Sequence, residues 1–296
     1  MKKIYYILVL VLVVLGFWAG FYFKDSILGL YHATQKNVQK NVQTFEKSDV
    51  GTVIGQVAKN ILTPPPLIIK GQQNNVVLTK SKIIAETNIQ RFDNGQLPPL
   101  IENTKLDAAA LAKAQDIFKH QYFEHVSPSG VDPGTLVKSF GYDYIVSGEN
   151  LILGNFSSEK EAVQDWMNSP GHRANILNNR FVDIGVAVVK GVYKGETVWV
   201  GVQEFGLPLS ACQLPNASLK TEIDSDKTAL DNLSAQIDAK RNEINNTDPH
   251  SQEYNTLVDE YNQLVAQYNQ LAQNTKNIIS QYNIQVSNFN NCVAGT

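Results

Sequence analysis

The chain has 296 residues, a formal net charge of −3 and two cysteines. That length exceeds one ordinary domain and implies two or more structural units. The charge is small and no basic cluster interleaves with aromatics, so no nucleic-acid partner is expected.

Lys2 and Lys3 precede an uninterrupted apolar run over residues 4–23, long enough for a helix to span a bilayer. A cleaved signal peptide is the rival reading. It needs a shorter apolar core and small residues before the cut, where this chain places Phe17 and Trp18. Residues 4–23 therefore read as an uncleaved signal anchor with a cytoplasmic N-terminus. Trp18, Phe21, Tyr22 and Phe23 are expected at the outer interface, and everything downstream is expected outside the membrane. Residues 24–82 read as a juxtamembrane stalk and linker, in which Thr63-Pro64-Pro65-Pro66 forms a stiff extended spacer.

A globular part is expected over residues 83–206. The spacing predicts a helix over 83–94 with Ile83, Ile84 and Ile89 inward, then a helix over 106–122 capped by Asn103. Leu106, Ala109, Ala110, Ala114, Ile117 and Phe118 form its inner stripe. Ser157 is the expected cap of a third helix with Ala162, Val163 and Trp166 inward, stopped by Pro170 and Gly171. Residues 181–190 and 197–205 read as a strand pair, apolar on both faces and joined through Gly191 and Gly195. Such strands need cover on each side. Helices followed by an antiparallel pair indicate an α+β domain.

Residues 212–292 change character. Leu219, Ile223, Leu230, Leu233, Ile237 and Ile244 mark one heptad-spaced stripe, interrupted by Asp226 and Lys240. Tyr254, Leu257, Tyr261, Leu264, Tyr268, Leu271, Ile278 and Tyr282 mark another. Asn246-Thr247-Asp248-Pro249-His250-Ser251 breaks the pattern, so an antiparallel coiled-coil hairpin is expected. The tyrosine stripe reads as packing rather than as a ligand surface. Cys212 and Cys292 flank arms of similar length, which would bring them together as a disulfide in an exported chain. The rival is a pair of intermolecular bonds in a dimer.

The chemistry-bearing residues stand in short motifs. These are Phe123-Glu124-His125-Val126-Ser127-Pro128, Gly148-Glu149-Asn150, Trp166-Met167-Asn168-Ser169-Pro170-Gly171-His172-Arg173, Asn175-Ile176-Leu177 and Gln203-Glu204-Phe205-Gly206. Together they resemble the CAP superfamily, also called SCP-like or pathogenesis-related-1-like proteins, and most closely its bacterial branch. The resemblance implies a three-layer α-β-α sandwich. It also implies that His125, Glu149 and His172 face one cleft, where some family members bind a divalent metal. Two imidazoles and a carboxylate suit zinc with an open position for water, and Glu149 alternatively suits a general base. Animal and plant members carry a further acidic residue soon after the first histidine; Asp132 is the nearest candidate here.

A bland reading stands beside this one. Glu149 and Asn150 would satisfy backbone groups in a buried turn, and His172 would cap a helix beginning near Pro170. No His-Glu-x-x-His pattern or Gly-x-Ser-x-Gly elbow occurs, so neither that kind of zinc protease nor a serine hydrolase is expected. No single enzymatic activity characterises the family. The expectation is a membrane-anchored, extracytoplasmic binding or interaction module at the cell envelope, with the hairpin contacting an envelope component, a protein partner or another copy. The alternatives are a metal-assisted hydrolase of extracellular peptide or envelope polymer, and a structural protein with an inert cleft.

Overall fold

The computed structural model describes residues 50, 60–71 and 75–295. The anchor expected over 4–23 and most of the expected stalk lie outside the described residues. Among the described residues no helix is long and apolar enough to cross a membrane. They divide into two units, residues 60–214 with 289–295, and residues 215–288 with Val50.

In the first unit a six-stranded sheet is formed by β1 (Asn60–Leu62), β2 (Leu67–Ile68), β3 (Ile101–Glu102), β4 (Tyr144–Gly154), β5 (Asp183–Tyr193) and β6 (Glu196–Pro208). The order is β1-β4-β6-β5-β3, with β2 also pairing β4. The centre, β4-β6-β5, is antiparallel. The short outer strands run parallel to their neighbours. The helices are α1 (Lys80–Asp93), α2 (Thr104–His120), α3 (Pro133–Ser139), α4 (Glu159–Asn168) and α5 (Pro170–Ile176).

Strand alternation sends successive side chains to opposite faces. Leu151, Leu153, Val200 and Val202 meet Ala110, Ala114 and Ile117 of α2 on one face. On the other, the Gln203 amide donates to Thr87 of α1, and the Trp166 ring of α4 lies over Gly201, where any Cβ would come within 3.2 Å of it. Helices thus cover the sheet on both sides, giving the three layers of an α+β sandwich.

Several boundaries move from the sequence reading. Asn103 caps α2 as expected, accepting from the Lys105 amide. Ile89 is exposed, so only Ile83 and Ile84 of the expected stripe point inward. The cap of α4 is Ser158, while the Ser157 amide and hydroxyl both donate to Glu161. The side chain three positions into the helix thus reaches back past the cap. Pro170 does not merely end α4. It opens α5, where a fixed φ and a missing N–H do no harm. Residues 60–69, assigned from sequence to the linker, are strands and strap of the domain sheet. Gly148-Glu149-Asn150 is not a turn. It lies mid-way along β4, whose eleven residues are all buried.

The second unit is a helical hairpin of α6 (Ala217–Asn245) and α7 (Gln252–Ala294) up to residue 288. Ile223, Leu230, Ile237 and Ile244 of α6 are buried at seven-residue intervals against Tyr254, Val258, Tyr261, Val265 and Tyr268 of α7. Pairs from Lys240–Glu260 through Asp226–Thr275 to Asn216–Gln285 progress in opposite directions, so the helices are antiparallel. Leu257, Leu264, Leu271 and Ile278 are only partly buried; Val258, Val265, Ala272 and Ile279 take the central positions. The interruption at Asp226 is met by the Thr275 hydroxyl, which donates to it at 2.8 Å. Cys212 and Cys292 form a disulfide across 80 residues. Closing a loop of that length raises stability by about 4 kcal/mol in the chain-entropy picture.

Candidate functional site: a carboxylate–imidazole cleft

The site is assembled around the middle of β4. Glu149 is paired in register with Glu204 of β6, and Asn150 with Gln203. Alternation puts Glu149 and Glu204 on the α2 face with Leu151 and Val202, and Asn150 and Gln203 on the opposite face.

On the α2 face two fully buried carboxyl groups stand side by side. Burial drives Glu204 well above the ordinary carboxylate value, and the adjoining Glu149 charge and hydrogen bond push it further, with Lys113 pulling the other way. Glu204 is thereby biased towards its neutral form beside Glu149. Lys113 reaches in from α2 and is only 3% exposed. Burial lowers its pKa, against the attraction of Glu149, Glu204, Asp116 and Glu124. Its ammonium donates to the carbonyls of Glu124 at 2.7 Å and His125 at 2.6 Å, and so fixes the loop that follows α2. The His125 ring is thereby held with Nδ1 2.6 Å from Oε1 of Glu149. Its Nε2 faces the Pro64 carbonyl. A carbonyl only accepts, so Nε2 carries a proton.

His172 enters from α5 and is 1% exposed. Its Nδ1 lies 2.8 Å from the Ser169 hydroxyl at the start of the same helix. Its Nε2 is buried and has no hydrogen-bond partner among the described residues. Burial, then the nearby His125, lower its pKa to about 4 against a weaker pull from the Leu151 backbone. His172 is thus a neutral ring near pH 7, with one unused nitrogen close to His125.

Asn150 serves the other face. Its amide donates to the His172 carbonyl at 3.2 Å and to Gln203 at 3.1 Å, and its oxygen accepts from Asn175 at 2.9 Å. This network holds α5 against β4 and places His172, without entering the cleft. Asp132 is the clear correction. It caps α3, accepting from the Thr135 amide and hydroxyl. The additional acid beside Glu149 is Glu204.

Sequence reasoning missed Glu204, Lys113 and Pro64. A Gln-Glu pair inside an otherwise apolar strand was a usable signal, because glutamate is almost never fully buried unless paired. Lys113, on the inner side of an alanine-rich helix stripe, was another.

The donor set does not fit a metal in this arrangement. Both His125 nitrogens are engaged, and among the described residues no group of three or more His, Cys, Asp or Glu side chains could hold a metal ion. Among the described residues His172 Nε2 has no partner, and Glu149 Oε2 and both Glu204 oxygens have none beyond one another. A hollow of about 800 Å³ between Glu102, Tyr142, Asp183 and Cys212 contains none of the site residues.

Residues 85–203 match the CAP family, described as the cysteine-rich secretory protein family, and the chain carries a CAP domain of the bacterial type there. An uncharacterized protein, YkwD, of Bacillus subtilis (strain 168) is 34% identical over 169 residues, covering 54% of this chain and 65% of that protein. An uncharacterized membrane protein, YlbC, of the same organism is 28% identical over 154 residues, covering 52% and 43%. The matches thus span less than two thirds of either relative. A solved extracellular protein containing an SCP domain from Bacillus anthracis str. Ames is 31% identical. It covers 43% of this chain and 39% of that one, with a TM-score of 0.37.

Proposed function

We propose that the protein is a cell-envelope binding module. Residues 4–23 anchor it, the CAP domain presents the His125–Glu149–His172 cleft on the extracytoplasmic side, and the hairpin offers a second contact surface to an envelope component or protein partner. One observation carries this reading. The His125 ring is backed by a buried carboxylate at one nitrogen and offers a proton to a main-chain carbonyl at the other. A histidine so fixed is a preset donor for an extended backbone. The name of the relative YlbC, a membrane protein, supports the anchored placement.

Hydrolysis is supported less well. Ser127 is engaged with Ser129 and the Val131 amide, and Ser169 with a histidine on its own short helix. Neither serine has both a base and a partner orienting that base. A zinc site remains a separate proposal for a rearranged cleft, in which His125 Nε2 is released.

Sedimentation of the ectodomain, residues 26–296, with isolated bacterial envelopes tests the binding reading. Wild type should pellet with the envelopes and release no soluble fragments. The His125→Ala, His172→Ala double variant should stay in the supernatant. Equal pelleting of the two would overturn a role for the cleft, and fragment release by wild type alone would favour the hydrolase.

A further inference from the structure

The cleft is not open. The chain's own residues 63–66 cross it, and the way they are held differs from the way the rest of the sheet is held. β1 pairs with β4 at Val146–Gly148, and β2 pairs with it again at Ile152 and Leu153. Between Leu62 and Leu67 lie four residues, whereas β4 has only three between Gly148 and Ile152. The extra residue bows the segment away from the strand edge, as in a bulge. Three of the four are prolines, which cannot donate to β4. The ladder is therefore interrupted over Glu149, Asn150 and Leu151, the stretch that carries the site.

The bowed segment is held through cleft residues instead. His125 Nε2 donates to the Pro64 carbonyl. The Asn175 amide donates to the Leu62 carbonyl at 3.1 Å. Pro64 also lies directly on Gly171, where an added Cβ would come within 2.6 Å of the Pro64 Cβ. The motif residues His125, Gly171 and Asn175 are thus all spent on this strap. The hold is shallow. None of residues 61–70 is buried, and Leu62 and Ile68 are 37% and 61% exposed. Five residues of the strap lie in β1 and β2, and the Ile69 amide adds one bond to the Leu153 carbonyl at 2.8 Å.

We infer that residues 60–69 are a detachable internal ligand, and that the cleft's outside ligand is a proline-containing extended peptide that enters parallel to β4 and offers its carbonyl to His125. The inference rests on the reading of the cleft as a binding groove. It adds what the groove takes and what keeps it closed. The strap's chemistry defines the class: short apolar residues on either side for strand pairing, a proline stretch already extended at low entropic loss, and no charge among residues 60–69. Occupancy by the strap lowers the apparent affinity for outside peptide by the fraction of molecules left open. Withdrawal of the strap opens the cleft, and the strap continues directly into the segment leading back towards the expected anchor.

Gly171 supplies the test, because Pro64 provides every close contact that a Cβ there would make. In the full chain, Gly171→Ala should expel Pro64. A labelled peptide of residues 60–69 carrying Gly in place of Pro64 fits beneath the new methyl group. This peptide should bind the Gly171→Ala chain at least about tenfold more tightly than wild type. Adding His125→Ala should abolish the gain. Adding Pro64→Gly in the chain should also abolish it, because the strap can then return. Main-chain hydrogen exchange gives a second reading. In Gly171→Ala the amides of Ile61, Leu62, Leu67 and Ile68 should exchange faster, while the β5–β6 ladder keeps its protection. Equal peptide binding by wild type and Gly171→Ala, or none by either, overturns the inference. So does unchanged strap exchange, or loosening of the whole sheet, which would make the strap part of the core. If the peptide fails but envelopes still bind in a His125- and His172-dependent manner, the binding-module reading survives and only the strap's ligand role falls. If envelope binding ignores both histidines, that reading falls first.

Discussion

Glu149 and Asn150 are neighbours in one strand, and alternation sends them to opposite sides of the same sheet. Asn150 enters a closed amide network in which the His172 carbonyl, Gln203 and Asn175 meet its donors and its acceptor. Glu149 enters a charged layer that is left partly unpaired. Among the described residues one of its oxygens and both of those of Glu204 have no partner beyond one another. A buried polar group that exists for architecture is normally satisfied. A buried acid pair set against a histidine raises the free energy of the fold, a cost met more often at functional sites than in scaffold. One face therefore reads as scaffold and the other as site.

The sharpest way to break this comparison is Lys113→Met, which keeps the stem and removes the cation facing both carboxyl groups. Loss of one partner from a buried charged cluster should destabilise the protein by roughly 3–5 kcal/mol, read from denaturant unfolding at neutral pH. It should also free the loop carrying His125. A change below about 1 kcal/mol would mean that the layer is already solvated. On the amide face, Asn150→Ala should remove about 3 kcal/mol by leaving several buried groups unpaired. The Glu149–His125 contact should survive in the folded fraction, as seen in imidazole resonances.

The pH dependence separates the setting of His172 from that of Glu204. The folded-state pKa of His172 is depressed to about 4 from 6.5, so between those values the unfolded chain binds more protons. Its contribution is fully present above the unfolded value and declines as pH falls through about 6.5 towards 4, by on the order of 2–3 kcal/mol in all. In His172→Gln that decline should disappear from the stability profile.

Glu204 has the opposite sign. Its folded pKa is raised above the ordinary 4.5, so its contribution is present below that value and is lost as pH rises above it. Glu204→Gln should therefore stabilise the protein at neutral pH, by roughly 1–2 kcal/mol, with no gain near pH 4. Equal effects at both pH values would show that Glu204 is not held as a neutral acid. The order of the four effects tests the contrast itself. If the Glu204 variant lost as much stability as the Asn150 variant, both faces would be scaffold.

The helical hairpin was legible in outline because its signal is local. Seven-residue spacing and the break at residues 246–251 define two arms whatever else the chain does, and arms of similar length between the cysteines bring Cys212 to Cys292. Which apolar row faced the partner was less legible. Leu257, Leu264 and Leu271 look as apolar as the Val258, Val265 and Ala272 that displaced them, and only packing against Ile223, Leu230 and Ile237 chooses between the rows. In the CAP domain the helices were found by the same local logic, through stripes such as Leu106, Ala110, Ala114 and Ile117. The central strand was not. Its Gly-Glu-Asn core resembles a turn when read alone, because polar residues and glycine seldom occupy a fully buried strand.

The sequence by itself showed that the motifs carrying His125, Glu149 and His172 resemble one family pattern, that an α+β domain precedes a hairpin, and that two cysteines flank the hairpin's arms. These follow from spacing, composition and motif, which are properties of the chain near each residue. Tertiary structure alone decided that Glu204 lies against Glu149, that Asp132 serves a helix cap instead, and that a proline segment about sixty residues before His125 accepts a hydrogen bond from it. The first depends on strand register, where a shift of one residue would turn Glu204 to the opposite face. The last depends on a parallel strand returning along the edge of β4. Such a contact joins residues far apart in sequence, and nothing local to either of them encodes it.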